Sequence, residues 1–433
     1  MKRTLVTLGL MALVGTVNAR AGEVVKNDKF VLNANGRMQW LAVGQKLDDP
    51  FRSDKRLYLF MKQARLRLNG SFQDAKFDVQ LAYGGEDLVA ASPGVGLGLL
   101  DFSFDVPTPF KTRVKVGQFR VPYGRERLTD SGSLNFGDRS IQSLGFSWNR
   151  DVGAALHTRR GRFVGTVGVF TGGGRDVPQR YLPEKLGSPM LVTRFGYDDG
   201  IDEDAFTVRS RAAGPDRTRV AAYFNALYLK DSLIGHSTVL NVRSTDKSLL
   251  LNSNWNPFVA QTPFVQGRVW QAGGDVVVRA PLGAYSVSAE AEANYGTFSN
   301  TYGTVTMKGG RLQAGISRGA FDATLRHAVV YPDARMANTF TPTGSTTAQH
   351  SPLFVNDKPI REYTPSLTYH YRANVAVVAD MPIYTNMLVF KENKLGTYVA
   401  TEHPDQATVV KPGAGTADRE RVVEGRLMIQ VTF

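Results

Sequence analysis

Nine basic side chains in the first third of this 433-residue sequence have the type and spacing to handle anions: Lys62, Arg65, Arg67, Lys111, Arg113, Arg120, Arg125, Arg127 and Arg139. A guanidinium or ammonium group is a cation at neutral pH with several N–H donors. Along a water-filled passage such groups concentrate anions and hold them weakly enough to release them. The densest stretch is Gln118–Arg150, where Arg120, Arg125, Arg127, Arg139 and Arg150 are set against Glu126, Asp130 and Asp138. The whole chain carries 52 Lys and Arg against 39 Asp and Glu, a formal charge of +13.

Other chemistries are poorly supplied. With no Cys there is no disulfide, thiolate ligand, Cys nucleophile or redox motif, and six scattered His are a thin basis for zinc. No metal or other cofactor is expected. His157 has the parity of a polar wall residue, without the Ser spacing or acidic orienter of a hydrolase. Gly94-Val95-Gly96-Leu97-Gly98 lacks the following helix and the Lys-Ser/Thr of a nucleotide loop. The basic residues alternate with apolar ones and spread over loops, so no nucleic-acid partner is expected.

The elements that must position these side chains are strands. Tyr285–Tyr295 alternates without error, apolar at odd positions and polar at even ones. Phe77, Val79, Leu81 and Tyr83 alternate with Lys76, Asp78, Gln80 and Ala82, and Val423, Gly425, Leu427, Ile429, Val431 and Phe433 share one face at the end. Such segments have the length a tilted strand needs to cross a bilayer, and closure into a barrel satisfies every backbone group in lipid. The pattern predicts sixteen strands, near 36–43, 57–70, 75–84, 99–106, 111–119, 151–158, 163–170, 189–197, 218–229, 269–280, 284–296, 311–317, 320–331, 363–371, 374–381 and 420–433. Short turns, three with a Gly-x-aromatic pattern, alternate with long connections at Gln118–Arg150, Lys230–Arg268, Pro332–Arg361 and Pro382–Asp418. A soluble β-sandwich or solenoid would also alternate, but it would not need aromatic residues flanking the apolar faces.

Lys2 and Arg3, the apolar run Leu5–Val14 and the small residues up to Ala21 read as a signal peptide cut after Ala19 or Ala21. Residues 22–433 then form one outer-membrane barrel domain, with residues 20–35 as a short periplasmic lead-in. No later stretch is apolar enough for a membrane helix.

Inward parity mixes bases (Arg37, Arg65, Arg67, Lys76, Lys111, Arg113 or Lys115, Arg279, Arg311, Arg326, Arg426) with acids (Asp78, Asp101, Asp105, Asp275, Asp322, Glu290, Glu292, Glu424). Gln118–Arg150 is the third external loop. Pro122, Gly124, Gly132 and Gly137 give it the turns it needs to fold into the lumen and narrow it.

The segment Gly117-Gln118-Phe119-Arg120-Val121-Pro122-Tyr123-Gly124-Arg125-Glu126-Arg127-Leu128 resembles the stretch after the fifth strand in the phosphate-selective porin O and P family. Phe136-Gly137-Asp138-Arg139-Ser140 and Asn149-Arg150-Asp151-Val152-Gly153 resemble that family's next landmarks, and Lys62-Gln63-Ala64-Arg65-Leu66 its Arg-rich second strand. The resemblance spans roughly residues 57–170. It implies a 16-stranded barrel, a trimer, an inward third loop and basic residues that guide anions. Lys62 and Arg65 match two of the basic second-strand sites. Gln63 stands uncharged where the family has Arg, and the third loop contains no Lys for the family's central lysine cluster.

The reading is therefore all-β: a 16-stranded antiparallel transmembrane β-barrel with an inward-folded third external loop, working as a porin rather than an enzyme. Small hydrophilic solutes pass by diffusion, with an anion preference that could extend to phosphate or polyphosphate. Two alternatives stay open, a barrel esterase or phospholipase and a plugged structural or adhesion barrel. Expected partners are anionic solutes, outer-membrane lipid and lipopolysaccharide. A last strand ending in Phe433 looks like the signal read by the barrel assembly machinery.

Overall fold

The structure is a computed structural model describing residues 22–47, 55–83, 97–146, 148–172, 189–204, 206, 216–233, 266–300, 303–332, 339–340, 349–350, 359–390 and 417–433. The signal segment 1–21, the Gly94–Gly98 run except for its last two residues, and most of the long connections after Lys230, Pro332 and Phe390 lie outside these.

Period-two alternation drives one segment after another into antiparallel pairing with its sequence neighbour, and the last strand pairs with the first. The result is a closed 16-stranded antiparallel barrel. Its strands are β1 (Phe30–Leu47), β2 (Lys55–Phe72), β3 (Ala75–Tyr83), β4 (Leu97–Pro107), β5 (Arg113–Arg120), β6 (Arg150–Arg160), β7 (Phe163–Phe170) and β8 (Met190–Asp198). They continue with β9 (Arg219–Leu233), β10 (Gln266–Leu282), β11 (Tyr285–Asn300), β12 (Gly303–Arg318), β13 (Phe321–Pro332), β14 (Ile360–Arg372), β15 and β16 (Ala417–Thr432). β15 is in two pieces, Val375–Asp380 and Ile383–Phe390, both lying between β14 and β16. The break falls at Met381–Pro382, because proline has no N–H to give the ladder. At the closing seam, Gly36 and Phe433 exchange both backbone hydrogen bonds, at 2.6 and 3.0 Å.

The two faces have opposite chemistry. On β14, Ile360, Glu362, Thr364, Ser366 and Thr368 are buried while Tyr363, Leu367 and Tyr369 are exposed. Leu312 (60% exposed), Val167 (60%) and Leu325 (58%) stand on the outside, with Arg326 and Arg194 at 0% on the inside. An apolar exterior around a polar interior is stable only where acyl chains cover the exterior. Exposed Tyr228, Trp270, Tyr295, Tyr331, Tyr369 and Tyr371 contribute amphipathic rings to this face.

Differences from the predicted elements have local causes. β1 begins at Phe30 rather than near 36, and Glu23–Lys26 in the supposed lead-in pairs with it as an extra short strand. β12 begins at Gly303, because Gly309-Gly310 hides the alternation before residue 311. β15 continues past Pro382 to Phe390, which shortens the connection that follows. The turns at Gly161, Gly283 and Gly319 each place the glycine at φ near +60°, the conformation that the Gly-x-aromatic pattern predicts. The two classes of connection length are not strict. β11 and β12 are joined by two residues at the long-loop end, whereas β8 and β9 at the short-turn end are joined by residues 199–218.

Candidate functional site

The segment between β5 and β6 is built from small capped turns. Val121 N donates to Asn149 O at 3.0 Å and closes its base. A one-turn helix at Arg125–Leu128 is followed by a 3-10 turn at Ser131–Ser133, whose Asp130 side chain accepts from Gly132 N at 2.8 Å. Ser140 caps a second short helix, Ile141–Gly145, by accepting from Ser143 N at 3.2 Å. Phe146 at its end packs against β12: a Cβ on Gly309 would sit 2.9 Å from the ring and from Val329 O, so glycine fits there. Phe119, Tyr123, Ile141, Phe146 and Trp148 join Val269, Met307 and Val330 of the inner face in one buried apolar cluster.

Three ionic knots tie this segment to inward-facing side chains. In the first, Arg125 reaches Asp202 at 2.7 Å and Asp275 of β10 at 2.8 Å, all three side chains at 0% exposure; Arg194 of β8 holds the same Asp275 at 2.6 Å. The second gathers Glu126, which lies 3.1 Å from Arg326 of β13, 3.8 Å from Arg311 of β12 and 2.5 Å from the Ser140 hydroxyl. Arg326 continues to Glu362 at 2.5 Å, and Arg311 to Glu290 and Glu292 at 3.2 Å each. Burial alone would raise the Glu126 carboxyl, but Arg311 and Arg326 outweigh it and hold it below the usual carboxylate range. In the third, Lys62 of β2 lies 3.3 Å from Asp138 and donates to Gly137 O, while Gly137 N donates to Asp380 at 2.7 Å. Burying charges in this way is tolerable because each cation is met by carboxylates and further hydrogen bonds.

A fourth contact zone has a different balance. Arg37 pairs with Asp130 and donates to the Ser131 hydroxyl at 2.9 Å. Arg65 donates to that same hydroxyl at 3.2 Å. Arg120 donates to Leu128 O at 2.7 Å and stands 3.9 Å from Asp130. Arg139 donates to Glu126 O at 3.1 Å and to Thr129 O at 2.7 Å. Four guanidiniums thus converge on residues 126–131, where Asp130 is the carboxylate beside Arg37 and Arg120, and Glu126 is turned to Arg311 and Arg326. Burial would raise this carboxyl, but Arg37, Arg120 and Arg65 hold it well below the ordinary range.

The nine predicted basic residues therefore divide. Arg65, Arg120 and Arg139 come together at this zone, and Arg127 is half-buried on the helix beside it. Lys62 and Arg125 are sealed in knots, closed off from a passing solute. Arg67 forms a two-pronged pair with Asp78 at 2.7 and 2.8 Å, and Arg113 binds Asp105 at 2.8 Å. Lys111 stands apart from these groups. It lies exposed in the turn before β5 at φ 56°, at the short-turn end, because the strand starts at Arg113 rather than at 111.

Comparison with known proteins agrees with the barrel fold. Residues 32–182, which run from within β1 through β7 and include the whole β5–β6 segment, match the family described as phosphate-selective porin O and P. Over that stretch the chain is similar to this family. Solved structures show the same barrel: the anion-selective porin from Comamonas acidovorans (13% identity, TM-score 0.54, covering 94% of this chain and 100% of that one), OmpT of Vibrio cholerae (9%, 0.51, 95% and 99%) and the outer membrane channel DcaP of Acinetobacter baumannii (12%, 0.50, 95% and 100%). At these identities the likeness is one of fold. No curated protein matches. The partial family match and the shared barrel support an outer-membrane β-barrel channel.

One part of this barrel's interior is missed by alternation. After β8 the Asp198 carboxylate accepts from Gly200 N, Ile201 N and Asp202 N at 2.7–3.0 Å and from the Tyr223 hydroxyl at 2.9 Å. This turn carries Asp202 to Arg125. It also places Phe206 edge-on to Phe119 (5.5 Å) and His157 (5.1 Å), with the Lys115 ammonium 5.0 Å from its ring. The local signal was Asp198-Asp199-Gly200, an acidic side chain two residues before a glycine. His157 itself lies 3.1 Å from Asp105 against the Phe206 ring. No cluster able to hold a metal occurs among the described residues.

Proposed function

We propose that this chain is a porin that passes small hydrophilic solutes by diffusion with a preference for anions, and that the segment 121–149 lies across the lumen as its constriction. The supporting observation is the convergence of Arg37, Arg65, Arg120 and Arg139 on one stretch, where Asp130 is the carboxylate beside Arg37 and Arg120. Elsewhere the knots match cations with carboxylates, so this zone concentrates the positive field. A passing anion exchanges between neighbouring guanidiniums, each already satisfied in part by a protein oxygen, so residence is short and flux is maintained. General anions are favoured over phosphate specifically, because Gln63 stands where the family has Arg and the segment has no Lys. The reading includes export by the N-terminal signal, a homotrimer, contact of basic outer loops with lipopolysaccharide, and assembly through Phe433.

Liposome swelling with the purified protein tests it. Gluconate should enter faster than neutral sugars of similar size, and glucosamine more slowly. Faster entry of glucosamine would overturn the anion reading. No swelling with any solute would indicate a plugged barrel.

A further inference from the structure

We infer that Asp130 is a specificity-determining residue of the anion path, a tethered carboxylate that occupies the place a bound oxyanion would take. This rests on the anion-channel reading above. Three observations converge. The carboxylate is held by Arg37 and Gly132 N and lies 3.9 Å from Arg120, so it makes the contacts a phosphate or carboxylate ligand would seek. Arg65 and Arg139 hold the neighbouring Ser131 hydroxyl and Thr129 carbonyl, so the residues on both sides of Asp130 are also bound by guanidiniums. The Asp130 side chain is also 35% exposed, unlike Asp202 and Asp275 of the first knot at 0%. It is therefore a competitor within reach of solvent rather than a sealed structural pair.

The consequence is a trade between affinity and flux. An anion arriving at this zone must displace a carboxylate that cannot diffuse away, and the tether returns it as soon as the anion leaves. Tight oxyanion binding is suppressed while the positive field persists. Without the Asp130 charge, an oxyanion with several acceptor oxygens would be held by two or more guanidiniums at once, and the channel would block.

The test is planar-bilayer current in KCl with inorganic phosphate added stepwise, comparing the natural protein with Asp130→Asn. Asn keeps an acceptor oxygen for Gly132 N, removes the charge and replaces the other oxygen by an NH2 donor. Folding is confirmed by heat-dependent mobility on gels, with Asp130→Ser as the substitute if the Asn variant fails to insert. Phosphate should block the neutral variants at a concentration at least tenfold lower than any block of the natural channel. Asp130→Glu, which retains the charge, should behave like the natural channel. Equal phosphate sensitivity of all variants, or tight block of the natural protein, overturns the inference. The zero-current potential of the natural channel, read in the same membranes, separates the two claims: anion-side reversal with no variant effect sinks only the role of Asp130, while cation-side reversal removes the reading beneath it.

Discussion

Arg125 and Asp202 lie 77 positions apart in sequence and meet at 2.7 Å with neither side chain exposed. The contact joins the β5–β6 segment, rooted at one end of the barrel, to the β8–β9 connection rooted at the other. Arg125→Ala would leave Asp202 without that partner in a buried site. Losing one member of such a pair costs roughly 3–5 kcal/mol. We expect a lower temperature for heat-dependent unfolding on gels and a larger, noisier single-channel conductance. Unchanged values in both would show that the segment is held by its other knots alone.

Arg65→Gln and Arg120→Gln should each weaken anion preference. Two unit charges about 4 Å apart interact by roughly 1–4 kcal/mol between bulk water and a protein surface. The expected outcome is a fall in the chloride-to-potassium permeability ratio of severalfold, larger at low salt where screening is weak. Lys111→Gln, in the exposed turn before β5, should leave the ratio unchanged.

Acid should act through the carboxylates of the segment. In Glu126, Asp130 and Asp138 burial opposes ionisation, but the neighbouring cations outweigh it and hold each carboxyl below its ordinary value. A group whose folded pKa is lowered contributes stability above its unfolded pKa and loses it as pH falls through the folded one. Conductance should therefore be steady from about pH 5 to 8 and become larger or noisier only below about pH 4. A change centred near pH 6 would contradict this assignment.

The outer face has its own test. Leu325 lies on β13, 58% exposed, on the apolar side of the barrel. Arg on a lipid-facing strand costs about 2–4 kcal/mol near the bilayer midplane. Leu325→Arg should reduce the yield of folded protein in liposomes, and normal yield would place that face away from lipid.

What was legible in the sequence follows the physics of each part. Alternation revealed all sixteen strands because every strand has a lipid face and a water face. It failed at Gly309-Gly310 and at Pro382, where a missing side chain or a missing N–H interrupts the pattern without ending the strand. The basic cluster was visible by residue type. Its sorting into sealed pairs (Lys62, Arg125) and the converging zone (Arg65, Arg120, Arg139) was not, because that depends on which strand each segment residue meets across the barrel. Asp202 could not be matched to Arg125 from spacing, since the partner lies on a separate connection with no shared period.

The zero-current potential of the purified protein in a planar bilayer, under a KCl gradient, tests the central claim most directly. Reversal toward the chloride equilibrium potential, with a shift toward zero in the Arg65→Gln and Arg120→Gln variants, is the expected result. Reversal toward the potassium potential would contradict the anion path built on the arginines around residues 126–131.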